Sequence, residues 1–122
     1  CIPYKEKRGS HPAKKVFQAI RIEVNNELEE FTKALTDALS MLNVDGYIVC
    51  ITFHSLEDRI CKNIFKKVST VDPVLKGMPN VDPKLLPDYE VITNHPILPT
   101  DDEIINNKRS KSAKLRIIKR IK

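Results

Sequence analysis

Gly46-Tyr-Ile-Val-Cys-Ile-Thr-Phe-His-Ser-Leu-Glu-Asp-Arg59 is the stretch whose reading decides the fold. Tyr47 to Phe53 run without a charge. The run is too short to span a membrane and suits a strand buried on both faces. Asp45-Gly46 before it is a turn signal. After it the period changes at once. Ser55-Leu-Glu-Asp58 fits a capping box, with the Ser55 hydroxyl on the Asp58 amide and the Asp58 carboxylate reaching back. Leu56, Ile60, Ile64, Phe65 and Val68 then recur at helical spacing. The expectation is a strand over 47–53, a tight turn, and a helix over 55–68. His54 and Ser55 then sit at the carboxyl end of a strand, the edge where open α/β sheets bind ligands.

Upstream, Phe17, Ile20, Val24, Leu28, Phe31, Leu35, Ala38 and Leu42 step by three or four without a slip. One straight helix over 12–42 would be ~45 Å long. Asn25-Asn26 followed by Glu29 offers an internal start signal, so two helices or a kink are expected there. Residues 1–11 read as a basic leading loop, and Pro12 suits a helix's first turn. Downstream, Pro73, Pro79, Pro83, Pro87 and Gly77 predict an irregular loop over 69–88. Residues 89–122 are expected to hold the final strands: Tyr89–Thr93 is β-like, and the Ile-rich Lys114–Lys122 is read as a strand although its period also permits a helix. Thr100-Asp-Asp-Glu103 opens a short helix over 101–106.

A chain of 122 residues supports one domain. It begins with Cys1, which suggests a piece of something longer. No signal peptide or membrane span is visible. Cys1, Cys50 and Cys61 form no even framework and no Cys-x-x-Cys pair, as expected of buried thiols in a reducing cytosol. The net charge of +5 is segregated: +4 over residues 1–24, −7 over 25–107 and +8 over 108–122. Two basic ends around an acidic body point to a polyanion partner.

The strand-end group His54, Ser55, Glu57, Asp58 and Arg59 reads either as a substrate wall or as a helix cap with surface charges. Ser55 lacks the Gly-x-Ser-x-Gly setting of a nucleophile. His11, His54 and His95 have no metal-ligand spacing, so no metal is expected. The three glycines, at 9, 46 and 77, cannot make a phosphate loop. Phe17 is read as core. Gln18 and Arg21 are candidates for base or phosphate contacts, and Arg109, Lys111, Lys114 and Arg116 carry donors suited to phosphates.

Three segments carry a resemblance: His11-Pro-Ala-Lys-Lys-Val-Phe-Gln-Ala-Ile-Arg-Ile-Glu-Val-Asn-Asn-Glu-Leu28, Ile51-Thr-Phe-His-Ser-Leu-Glu-Asp-Arg59, and Arg109-Ser-Lys-Ser-Ala-Lys-Leu-Arg116. In order and spacing they resemble the bacterial S-adenosylmethionine-dependent 16S rRNA (cytosine-N4)-methyltransferases, the RsmH/MraW family. The likeness covers essentially the whole chain. Lys14, Lys15 and Val16 stand where the family often has Thr-Arg-Thr.

The resemblance implies the C-terminal part of a class I, Rossmann-like α/β methyltransferase fold. Residues 47–53 would be its fifth strand, and the last strand would lie antiparallel between the fifth and sixth. The glycine-rich loop and the ribose-binding acid would belong to a missing N-terminal half, leaving no cofactor-binding residues here. His54, Ser55, Glu57 and Asp58 would wall the cytosine pocket. Lys14, Lys15, Arg21, Arg59, Arg109, Lys111, Lys114 and Arg116 would contact 16S rRNA in the small ribosomal subunit, in the cytoplasm and away from membranes. The chain alone is expected neither to hold S-adenosylmethionine tightly nor to methylate. Its open strand edge invites homodimerisation. The rivals are a stand-alone basic RNA-binding module and a structural dimerisation domain. Aromatic residues are 6% of the chain and mostly lie in apolar stripes, which disfavours a pure stacking binder.

Overall fold

The computed structural model describes residues 13–75 and 82–122. The leading loop with Gly9 and His11, the Pro12 helix start, and Gly77 and Pro79 lie outside the described residues.

The long apolar stripe is two helices, α1 (Lys14–Asn25) and α2 (Glu27–Met41). Asn26 separates them in the left-handed conformation, at φ 51°. Its short polar side chain tolerates that region and donates to Glu29 Oε2 at 2.8 Å. Asp45, at φ 65°, and Gly46 turn the chain into β1 (Tyr47–Thr52). A Cβ on Gly46 would stand 2.8 Å from the Asn43 carbonyl oxygen, so the turn needs glycine. Helix α3 (Ser55–Ser69) follows.

The stretch read as irregular holds two short 3₁₀ turns, Pro73–Leu75 and Pro83–Leu85. After it come β2 (Tyr89–Val91), α4 (Asp101–Asn106), a 3₁₀ turn at Lys108–Ser112, and β3 (Lys114–Arg120). The C-terminal segment is therefore extended, not helical. The strand order is β1-β3-β2, with β3 antiparallel to both neighbours. Val49 pairs with Ile117, Cys50 with Arg116 and Thr52 with Lys114. Beyond β2, Ile97 rejoins Leu115 through two 2.9 Å hydrogen bonds.

Paired residues share a sheet face, so the register separates two surfaces. Cys50 and Ile118 face α2 and α3, where they meet Leu35, Leu39, Cys61 and Phe65 in the core. The Tyr89 hydroxyl donates to the Leu39 carbonyl at 2.7 Å, tying β2 to the end of α2. The opposite face corrects the expectation of a doubly buried strand. Tyr47, Val49, Ile51 and Phe53 are all more than half exposed, because both packing helices lie on one side. Helix α1 buries no residue.

Candidate functional site

The turn from β1 into α3 builds the site. His54, not Ser55, is the N-cap, and its ring nitrogen Nδ1 accepts the Glu57 amide proton at 3.4 Å. Glu57 reaches back: its Oε2 accepts the amides of Phe53 at 2.9 Å and His54 at 3.3 Å. The capping box therefore lies one residue earlier than the Ser55–Asp58 reading. The shift leaves Asp58 for another role. Its Oδ1 accepts Arg116 Nε at 2.8 Å and its Oδ2 accepts Arg116 Nη2 at 3.2 Å, with Lys114 Nζ 3.4 Å away. Lys114 and Arg116 are two apart on β3, hence on the same face, under the first turn of α3. The Arg116 hydrogen bonds, reinforced by its charge and that of Lys114, hold the Asp58 carboxyl below its usual range against the opposing effect of burial.

The neighbouring carboxylates are thus both occupied, Glu57 by backbone amides and Asp58 by two cations. Arg116 is 6% exposed and faces the core, which removes it from the group of groups offered to a phosphate. Lys114 is half-buried against the same carboxylate. Ser55 is exposed at the first helical position.

Lys14, Lys15 and Arg21 on one side and Arg109 on the other approach the strand end. Lys14, Phe17, Gln18 and Arg21 of α1 face Phe53 and His54 across a hollow of about 510 Å³. Lys15 lies beside Ser55 and Leu56 in an adjoining hollow. Arg109 borders a separate, mainly apolar groove of about 550 Å³ with Ile51, Phe53 and Leu98. Phe53 belongs to both the first hollow and this groove. Lys111 and Arg59 are exposed. Arg21 is paired with Glu27 at 2.9 Å.

Phe17 corrects the core assignment: it is 68% exposed and lines the α1 hollow. Helical spacing marked it as apolar, but nothing local signalled that α1 would lack a cover. Phe53 was absorbed into the strand in the same way. Cys50 and Cys61 are buried free thiols. Contact with Cys50, together with burial, pushes the Cys61 thiol up. Among the described residues no cluster of three or more His, Cys, Asp or Glu is placed to hold a metal, and no helix is long and apolar enough to cross a membrane.

Helices packed on one face of a sheet, with polar groups crowded at the end of one strand, make an α/β arrangement, here on three antiparallel strands. The chain belongs to the MraW methylase family, whose profile matches residues 1–121. It is 51% identical over 121 residues to the "Ribosomal RNA small subunit methyltransferase H" of Streptococcus pyogenes serotype M4 (strain MGAS10750), covering 98% of this chain. The chain spans 38% of that relative's length. Membership implies the class I methyltransferase fold, of which the α/β arrangement here is a part.

Proposed function

We propose that this chain is the C-terminal part of an enzyme that transfers a methyl group from S-adenosylmethionine to the exocyclic N4 amine of a cytosine in 16S rRNA. Family membership supports methyl transfer, and the name of the Streptococcus pyogenes relative supports small-subunit rRNA as the substrate. The observation that carries the reading is the meeting of basic α1, basic Arg109 and the His54–Glu57 turn around Phe53. That is a cationic rim around the ligand-binding edge of an α/β sheet.

The described residues do not fit the cofactor by themselves. Gly46 lies at the amino end of β1, far from the ligand edge, and both strand-end carboxylates are engaged. We assign the cofactor cradle to the part of the enzyme not represented in this chain.

This chain's share is to receive the base. A cytosine amine is a weak nucleophile because its lone pair is delocalised into the ring. The base must leave its stack to be reached, and its nitrogen must be held in line with the methyl group. His54 and Ser55 form one lip of the pocket, with Glu57 fixing the backbone beneath them. Lys14, Lys15, Arg21, Arg59, Arg109 and Lys111 neutralise the RNA backbone, while Lys114 and Arg116 support the lip from below.

The test is methyl transfer to 16S rRNA by a full-length enzyme carrying this segment, with the product nucleoside identified by mass spectrometry. N4-methylcytidine supports the reading, and methylation elsewhere refutes it. Calorimetry of the chain alone should detect no low-micromolar binding of S-adenosylmethionine.

A further inference from the structure

Another hollow, of about 220 Å³, lies along the flank of α3, between that helix and the chain leaving β2. Lys62, Lys66 and Ser69 follow one another about a helical turn apart and give one wall. Thr93 and Asn94 give the facing wall, and Phe65, 2% exposed, lies beneath. Lys62 is about 10 Å further along the helix than Ser55, so the hollow stands apart from the His54 turn. Three observations give it an anion to hold. Lys62 and Lys66 are exposed, and among the described residues neither has an ion-pair partner. No acidic side chain lines the space; Arg116 borders it, with its charge already balanced by Asp58. Thr93 is 9% exposed, and its hydroxyl accepts the Ile117 amide proton at 2.9 Å. A hydroxyl also has a proton to give. No described residue takes it, so a nine-tenths-buried side chain on the wall keeps an unspent donor.

We propose that this hollow is a phosphate site, in which Lys62 and Lys66 pair with the phosphate oxygens from α3 while Thr93 and Asn94 donate to them from the opposite wall. A phosphate presents acceptor oxygens in several directions at once, which matches donors on facing walls. A carboxylate presents its oxygens in one plane. The lysine stems lie along apolar surface beside Phe65, where a charge contact is screened less than on open surface. The phosphate belongs either to an RNA backbone or to a small phosphorylated molecule, and the site does not depend on the methyl-transfer reading. The competing explanation is helical: cations in the last turn of a helix complement its dipole. Lys66 and Lys67 share the last turn of α3, but of the two only Lys66 lines the hollow. Lys67 is therefore the control.

The experiment measures calorimetric binding of inorganic phosphate, against chloride at constant ionic strength, to an intact enzyme carrying this segment. Lys62 and Lys66 are exposed, so glutamine variants keep the fold, as circular dichroism will verify. The Lys62→Gln/Lys66→Gln double variant is expected to weaken phosphate binding about tenfold, the loss of two charge contacts at the strong end for exposed pairs. Lys67→Gln should leave it unchanged. Thr93→Val loses the hydroxyl and should weaken binding, and Thr93→Ser keeps the hydroxyl and should retain it. Filter binding of 16S rRNA over a salt series then separates the two sources. If the phosphate is the RNA's, the double variant lowers the salt slope by about one. An unchanged slope, with phosphate binding weakened, assigns the site to a small phosphorylated molecule.

Unchanged phosphate affinity in the double variant overturns the proposal. So does an equal loss in Lys67→Gln, which would make the effect one of overall charge. Neither arm reads methylation, so an enzyme that fails to methylate cytosine leaves this site standing, and an enzyme that methylates normally does not rescue it.

Discussion

Arg116→Met is the most informative single change, because it strips the main partner from a carboxylate that the fold has already desolvated. Arg116 and Asp58 are 8% and 13% exposed in their side chains and meet through two hydrogen bonds, of 2.8 and 3.2 Å. Removing one member of a buried pair typically costs 3–5 kcal/mol; with Lys114 still 3.4 Å away and some solvent at Asp58, about 2–3 kcal/mol is expected here. Methionine fills much of the arginine volume, so little of that cost is a cavity. Replacing both partners removes the stranded charge. The Asp58→Leu/Arg116→Met double variant should therefore be more stable than the sum of its singles, by about 2 kcal/mol.

Urea unfolding followed by circular dichroism reads this directly. With a slope of about 1–2 kcal/mol per molar for a chain of this size, the single variant's midpoint should fall by roughly 1–3 M. The pH dependence supplies a second check. Asp58 has a lowered pKa in the fold, chiefly through Arg116. A depressed carboxylate contributes stability that is complete above its unfolded pKa, about 3.9, and drains away as pH falls through the folded value. The gap between wild type and Arg116→Met should hold from pH 8 to pH 5 and close below about pH 4. Additive singles, or a gap that persists unchanged at pH 3, would refute the clamp.

Three further outcomes are expected. Gly46→Ala places a methyl 2.8 Å from the Asn43 carbonyl oxygen and should cost about 1–3 kcal/mol in the same unfolding assay, as overpacking does. Cys50 and Cys61 are buried, with the Cys61 thiol pushed up. A thiol reagent should modify them in the native chain at the rate of unfolding and at once in urea. Strand β1 is an edge of the three-stranded sheet, with Val49 and Ile51 exposed. Sedimentation of the chain should therefore depend on concentration, and Val49→Lys should abolish that dependence; a monomer at every concentration would contradict it.

The sequence was legible where one local signal sufficed. The uncharged run at Tyr47–Phe53, the Asp-Gly turn and the helical spacing after Leu56 needed no tertiary information. Asn26 was readable as a break because an Asn pair before a Glu favours a helix start over continuation. The capping box was misplaced for a definite reason. His54-x-x-Glu57 and Ser55-x-x-Asp58 offer the same spacing one residue apart, and serine is the better intrinsic cap. What decides between them is Arg116, 58 residues away, which takes Asp58 once β3 lies beside β1. Burial was also beyond local reading. Alternation along β1 and periodicity along α1 record which residues are apolar, while only the packing of α2 and α3 on one face determines which of them are covered.

The placement of the carboxylates also bears on the chemistry. Had Glu57 and Asp58 both faced the hollow, two like charges would have repelled an RNA phosphate and competed for the same proton. Instead each is turned inward. Glu57 closes the first turn of α3 on the amides of Phe53 and His54, and Asp58 clamps that turn to β3. Glu57 and Asp58 are thereby neutralised beside the turn, leaving Lys14 on one side and Arg109, with Glu103 beside it, on the other. A lip whose two nearest carboxylates are turned away suits an anion. It does not suit taking a proton from an amine. If methyl transfer proceeds here, its proton acceptor therefore belongs to a part of the enzyme other than Glu57 and Asp58. Isosteric Glu57→Gln in the intact enzyme should then slow turnover only as far as it loosens the cap, with the pH profile unmoved. A displaced pH profile would give the acceptor role to Glu57 and overturn the division of labour between these two neighbouring acids.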